Sequence, residues 1–216
     1  MIKQSIAMTI ILFGATVTAA AQSVNFDGDT VGAPPKGWTL TMTGTGMAKW
    51  TVEQDDTAPM MGHVLKQSGE AAYPLALKNG MSIKDGFVEV KIKPISGSED
   101  RAGGLVWRAR DADNYYVVRA NALEDNVVAY KTVDGVRDAL EIVGRKSGYG
   151  VTAPVPANVW HTLRVEFAGK RFNVIFDGQP LFDVEDGTFT EPGMVGLWTK
   201  ADSVTSFNAF AYGEKK

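Results

Sequence analysis

Residues 162–176 read Thr162-Leu163-Arg164-Val165-Glu166-Phe167-Ala168-Gly169-Lys170-Arg171-Phe172-Asn173-Val174-Ile175-Phe176. Apolar and polar residues alternate with period two on both sides of Gly169-Lys170, the pattern of two strands that each bury one face and open the other. Glycine in the first position of a two-residue loop suits a type II′ turn. That turn sets Phe167 opposite Phe172, Val165 opposite Val174 and Leu163 opposite Phe176, so all six apolar side chains share one face. A three-residue loop would pair Glu166 with Phe172 and split the face, and is rejected on that ground.

The same period extends outward. Val88, Val90 and Ile92 alternate with Glu89, Lys91 and Lys93, and Asp-Gly turn signals stand at 27–28, 85–86, 134–135, 177–178 and 186–187. No stretch beyond the N-terminus has the 3.6-residue apolar period of a packed helix. Closely spaced strands with turn chemistry between them predict an all-β sandwich. A second hairpin joins Leu105–Arg110 to Tyr115–Asn121 through residues 111–114. Pairing Arg110 with Tyr115, Arg108 with Val117 and Val106 with Arg119 places Leu105, Trp107, Ala109, Tyr116, Val118 and Ala120 in the core. The opposite face then carries Arg108, Arg110, Tyr115, Arg119 and Asn121. The preceding strand is expected alongside, adding Glu89 to that face. The last strand, residues 206–212, is expected to pair near the Phe26-Asp27 start.

Upstream of the strands, Lys3 is followed by an apolar run from Ile6 to Val17 and by Ala19-Ala20-Ala21. A short basic start, an apolar run too short for a stable anchor and a small-residue cleavage site describe an export signal. Residues 1–21 are therefore expected to be removed after Ala21. Residues 22–216 are left as a single domain in the periplasm or outside the cell, with no membrane insertion of the mature chain. The whole chain has 216 residues, a formal net charge of −3 and no cysteine. The charge argues against nucleic acid as a partner, and the missing thiols exclude disulfides and thiolate metal sites.

Three ordered stretches carry a family likeness. They are Gly104-Leu105-Val106-Trp107-Arg108-Ala109 with Asn114-Tyr115-Tyr116, Trp160-His161-Thr162-Leu163-Arg164-Val165, and Val195-Gly196-Leu197-Trp198-Thr199-Lys200-Ala201-Asp202. With the opening Phe26-Asp27 and the Gly37-Trp38 pair, they resemble the 3-keto-disaccharide hydrolase family of the concanavalin A-like lectin and glucanase class. The resemblance implies a jelly roll of two curved antiparallel sheets, a carbohydrate ligand in the groove of the concave face and, in some members, cleavage of oxidised glycosides. Two departures stand against a full transfer. The Glu-x-Asp-x-Glu strand common in glucanases of this class is absent, so the carboxylate pair of retaining hydrolysis has no obvious seat. The terminal Phe-Asp-Asp-Phe of the family is here Phe207-Asn208-Ala209-Phe210, which puts any structural ion held by those acids in doubt.

The open-face set Arg108, Arg110, Tyr115, Arg119 and Asn121 is the candidate ligand site, because guanidinium and amide groups meet sugar hydroxyls and a ring meets the C–H face. It also reads as a solvated sheet face whose arginines pair with acids. Trp198 is a candidate for stacking on sugar or for packing, and Phe182 for an exposed platform. A 3-keto group acidifies the neighbouring C–H, so an elimination path needs a base and an enolate-stabilising cation. Glu89 is the candidate base, and Arg108 or Arg119 the candidate cation. His63 and His161 read as structural, and Asp111-Ala112-Asp113-Asn114 as a hairpin turn in place of a calcium loop. No cofactor is identified, a divalent metal is left open, and the alternatives to an enzyme are a non-catalytic lectin-like module and an envelope protein without a glycan ligand.

Overall fold

The computed structural model describes residues 21–215 apart from 61, 146 and 147, so the expected signal segment lies almost wholly outside the described residues. In chain order the strands are β1 (Gln22–Val24), β2 (Trp38–Met47), β3 (Trp50–Gln54), β4 (His63–Gln67), β5 (Glu70–Lys78), β6 (Gly86–Ser96), β7 (Ala102–Ala109) and β8 (Tyr115–Asn121). They continue as β9 (Asn126–Val133), β10 (Val136–Ala139), β11 (Val151–Thr152), β12 (His161–Ala168), β13 (Arg171–Phe176), β14 (Gln179–Glu185), β15 (Met194–Trp198) and β16 (Val204–Glu214). No helix occurs among the described residues.

The strands form two antiparallel sheets. The first runs β14-β13-β12-β6-β16-β4-β3 with β1 also on β16, and the second runs β10-β9-β8-β7-β15-β5-β2 with β11 also on β9. This is the expected all-β jelly-roll sandwich. The β12–β13 register is the one the alternation demanded, with Phe167 on Phe172, Val165 on Val174 and Leu163 on Phe176. Two Asp-Gly pairs make their hairpins with both residues at positive φ, Asp134-Gly135 between β9 and β10 and Asp177-Gly178 between β13 and β14. The terminal strand meets the start of the domain as expected, with Val24 on Phe210 and Gln22 on Tyr212.

The core lies between the sheets. Val88, Val90, Ile92, Leu163, Val165, Phe167, Phe172 and Val174 of the first sheet face Leu105, Trp107, Tyr116, Val118, Ala120 and Leu197 of the second. Trp107 sits at its centre, stacked on Tyr116 at 5.4 Å and meeting Phe172 edge-on at 5.4 Å, geometries that aromatic quadrupoles favour. Phe182 is buried in this core, so it offers no platform.

Two expectations about the second hairpin are corrected. Trp107 pairs with Tyr116 and Val106 with Val117, two residues away from the expected register. Where β7 meets β15, the pairing steps from Met194–Ala109 to Gly196–Val106, so Trp107 and Arg108 together oppose Val195. Arg108 takes φ 48° at this bulge. One extra residue reverses the alternation beyond it: Ala109 joins the outer face and Arg108 turns inward. The strand before the hairpin is also not its neighbour. β6 pairs with β12 and β16 in the first sheet, which removes Glu89 from the face expected for it.

The second sheet is strongly curled. β10 and β5 stand five places apart in it, which a flat sheet would make ~24 Å. Yet the guanidinium carbon of Arg137 on β10 is 4.8 Å from the ring centre of Tyr73 on β5. The outer face of this sheet is therefore a hollow, and its side chains, unlike those of a solvated sheet face, are buried.

Candidate functional site

The floor of the hollow is built by the pleat. Residues that pair across antiparallel strands share a face, so Tyr115 with Thr132, Val117 with Tyr130 and Arg119 with Val128 point outward together from β8 and β9. Arg137 pairs with Thr132 from β10, and Trp198 joins from β15 opposite Leu75. Tyr73 stacks on Trp198 with ring centres 5.7 Å apart and an 18° tilt. The Arg137 guanidinium lies over three rings, 4.3 Å from Tyr130, 4.8 Å from Tyr73 and 5.5 Å from Trp198, a cation–π arrangement.

Beside this aromatic group is a saturated polar one. Arg119 is 2% exposed and donates to Glu124 Oε2 at 2.8 Å, to the Tyr130 and Tyr149 hydroxyls at 3.1 Å each, and to both oxygens of Asn126. Burial opposes its charge, but Tyr130, Tyr149 and Glu124 outweigh burial and hold the guanidinium pKa above its ordinary value. Burial pushes the Tyr130 phenol up. Asn121 donates to Asp100 at 3.0 Å and to Glu124 at 3.2 Å, and Lys200 closes the network on Asp100 at 2.7 Å. Tyr149 is half exposed, its ring edge-on to Tyr130 at 6.0 Å.

One further polar group in the hollow, Arg137 Nη1, is buried without a hydrogen bond. Burial raises the pKa of the Tyr115 hydroxyl, and the Thr132, Thr43 and Trp198 side chains, hydrogen-bonded to it, oppose that shift. A buried donor left unpaired costs about 1–3 kcal/mol, and such exceptions concentrate where function requires them.

Of the residues singled out from sequence, Tyr115, Arg119, Asn121 and Trp198 come together on this hollow face. Arg108 does not. It is 1% exposed and donates to the carbonyls of Lys84 at 2.8 Å and Phe189 at 2.9 Å and to Asp85 Oδ1 at 3.1 Å. Phe167 and Phe172 flank it at 5.6 and 5.4 Å. Arg110 is exposed and lies over Phe189 at 4.9 Å, away from Tyr115 and Arg119. Glu89 is on the outer face of the first sheet, paired with Arg164 at 3.3 Å, too far removed to serve as a base for a ligand in the hollow. His161 is structural: Nδ1 meets Asp177 at 2.9 Å and Nε2 the Pro156 carbonyl at 3.2 Å. Asp111 accepts from Asp113 N at 2.7 Å, as a turn residue does. Among the described residues, no group of three or more His, Asp or Glu is disposed to hold a metal.

Sequence reasoning missed Tyr73, Tyr130, Thr132, Arg137 and Tyr149. The signal for two of them was present: Val128, Tyr130 and Thr132 alternate with Ala129 and Lys131, and Asn121 pairs with Asn126 across a short loop. Registering that hairpin places Tyr130 and Thr132 beside Tyr115 and Arg119.

No family model matches the chain, nor does any curated protein sequence. Solved structures do match its fold. A carbohydrate-binding module of class 66 from Bacillus subtilis aligns over 82% of this chain and 95% of its own, with TM-score 0.65 and 22% identity. The cellulose-induced protein Cip1 aligns over 90% and 98%, with TM-score 0.64 and 12% identity. A β-glucanase from Bacillus licheniformis aligns over 93% and 100%, with TM-score 0.55 and 15% identity. The two-sheet architecture is thus that of concanavalin A-like and galectin-like sandwiches.

Proposed function

We propose that the chain is a carbohydrate-binding protein that holds its ligand in the hollow of the second sheet. The observation that carries this reading is the composition of that hollow: Tyr149 standing half exposed and Tyr73 partly exposed over the buried rings of Trp198 and Tyr130, with the Arg137 guanidinium left without a hydrogen-bond partner. Rings serve the C–H faces of sugars and fixed donors serve hydroxyl groups. Stability alone would favour satisfied polar groups there. The fold likeness to a carbohydrate-binding module supports the same reading by analogy. In line with the N-terminal pattern, the binding is proposed to take place outside the cytoplasm.

A hydrolytic reading of the 3-keto-glycoside type has one observation in its favour. Glu70, Glu99 and Lys200 line a cleft of about 360 Å³ that also contains Tyr73, so carboxylates border the aromatic floor. The experiment that separates the readings offers the domain a glycan panel that includes a 3-keto-disaccharide, and follows binding by calorimetry and sugar release by chromatography. Saturable binding that Tyr149→Ala weakens, without sugar release, supports the binding protein. Release that Glu70→Gln or Glu99→Gln abolishes supports the hydrolase. Failure of every glycan to bind overturns both. Arg171→Ala, on the outer side of the first sheet, serves as the control.

A further inference from the structure

Among the described residues, Arg137 is a guanidinium of the hollow held by aromatic faces alone, with no carboxylate beside it. Arg119 has Glu124 at 2.8 Å, whereas Arg137 makes no ion pair and no hydrogen bond among the described residues. Its Nη1 is buried against the floor, while Nε and Nη2, equally unpartnered, are not buried. The three rings beneath it hold the guanidinium plane in place. A stacked guanidinium with a free N–H edge is a preformed fork for a planar anion. Surrounding rings reduce the water that would otherwise screen its charge.

Resting on the carbohydrate reading above, we infer that the ligand is an acidic sugar, a uronate whose carboxylate sits on the free edge of Arg137. The sugar ring beside that carboxylate then lies toward the exposed ring of Tyr149, since Tyr130 contacts both residues, with its ring centre 4.3 Å from Arg137 and 6.0 Å from Tyr149. A neutral sugar leaves Arg137 without an anionic partner, as it is in the free protein, so the site discriminates for the carboxylate. A methionine at 137 keeps the length and the apolar stacking of the stem but removes the charge, and a lysine keeps the charge but loses the fork.

The test compares oligogalacturonate with the same oligomer after methyl esterification, which replaces each carboxylate charge by a neutral methyl ester, by calorimetry on the intact domain. The expected result is roughly tenfold or greater preference for the acid form at low salt, falling as salt rises. Arg137→Met should abolish the preference and Arg137→Lys should retain part of it. Unchanged melting temperatures in both variants tie these effects to the site. Equal affinity for acid and ester, or a preference that survives Arg137→Met, overturns the acidic-sugar assignment and leaves the carbohydrate reading standing. If neither oligomer binds while neutral glycans of the wider panel do, this assignment again falls alone. If no glycan of any kind binds, both fall together.

Discussion

The hydroxyls of Thr43 and Tyr115 share a hydrogen bond of 2.8 Å although their strands, β2 and β8, stand four places apart in the second sheet. Thr43 also donates to the Ala112 carbonyl in the β7–β8 turn. The edge of the curled sheet is thereby fastened to its middle, across the hollow. Thr43→Val keeps the shape of the side chain and removes the fastening. It should cost about 1–2 kcal/mol, and the double-mutant cycle with Tyr115→Phe should show non-additivity, because both changes delete the same bond. Denaturant melts of the four proteins measure this. If the clasp sets the curl, glycan affinity should fall in Thr43→Val as well.

Arg108 has a different fate from Arg119, and stability measurements should show it. Its side chain ties the Lys84 and Phe189 carbonyls and Asp85 to one point, with Phe167 and Phe172 on either side. Burial lowers its pKa, while Asp85 and Tyr116 counter that shift. Arg108→Ala should leave two carbonyls and a cavity in the core edge, at a cost of about 3–5 kcal/mol. Asp85→Asn should cost less, because Asp85 is partly exposed and solvent answers part of the loss. Thermal melts of both variants, read beside glycan binding at temperatures where each is folded, check the assignment. Binding should persist in Asp85→Asn.

These two residues also show how far the chain could be read from its letters. Strand alternation carries the architecture, because period two is a property of each segment alone: the β12–β13 register followed from six apolar side chains and a glycine. The bulge at Arg108 is not such a property. It arises where β7 meets β15 and where Gly193 brings its backbone against Arg108, so close that a Cβ there would stand 2.4 Å from the Arg108 carbonyl carbon. No local pattern in 102–109 announces a partner some ninety residues away. The hollow was half legible for the same reason. Tyr115, Arg119 and Trp198 lie in strands with clear alternation, while Arg137 and Tyr73 come together only through the curl of a whole sheet.

Acid should weaken the domain through Asp186. Burial alone would raise its pKa, but hydrogen bonds from Thr188, from the Tyr116 hydroxyl at 2.6 Å and from Lys131 at 2.9 Å hold it at about 2. A carboxylate whose folded pKa lies below its unfolded one adds stability that is complete above the unfolded value and is lost as pH falls through the folded one. The expected window therefore runs from about pH 4 down to about pH 2. Melting temperature against pH should fall across that range, and Asp186→Asn should flatten the fall without removing it, since Asp183 and Asp202 are shifted in the same direction.

Asn208 offers the sharpest single substitution. It is fully buried on β16, donates Nδ2 to the carbonyls of Met60 at 3.0 Å and His63 at 2.9 Å, and accepts from Met60 N at 2.9 Å. The amide thus fastens Met60 and His63 to the terminal strand, with both its N–H donors and its oxygen used in the correct sense. Asn208→Asp is isosteric but reverses one end: a carboxylate would face two carbonyl oxygens that need a donor. The cost at neutral pH should be about 2–3 kcal/mol, and burial among carbonyls favours the protonated acid, which can still donate to one of them. In the variant the folded state therefore holds its proton more tightly than the unfolded chain does. Stability should be regained as pH falls toward the acid range and lost as pH rises. That dependence is opposite in sign to the one expected at Asp186, so parallel pH melts of Asn208→Asp and of the parent protein distinguish the two effects. If the variant instead stays as stable as its parent at neutral pH, the two carbonyls do not depend on the Asn208 amide and the fastening lies elsewhere.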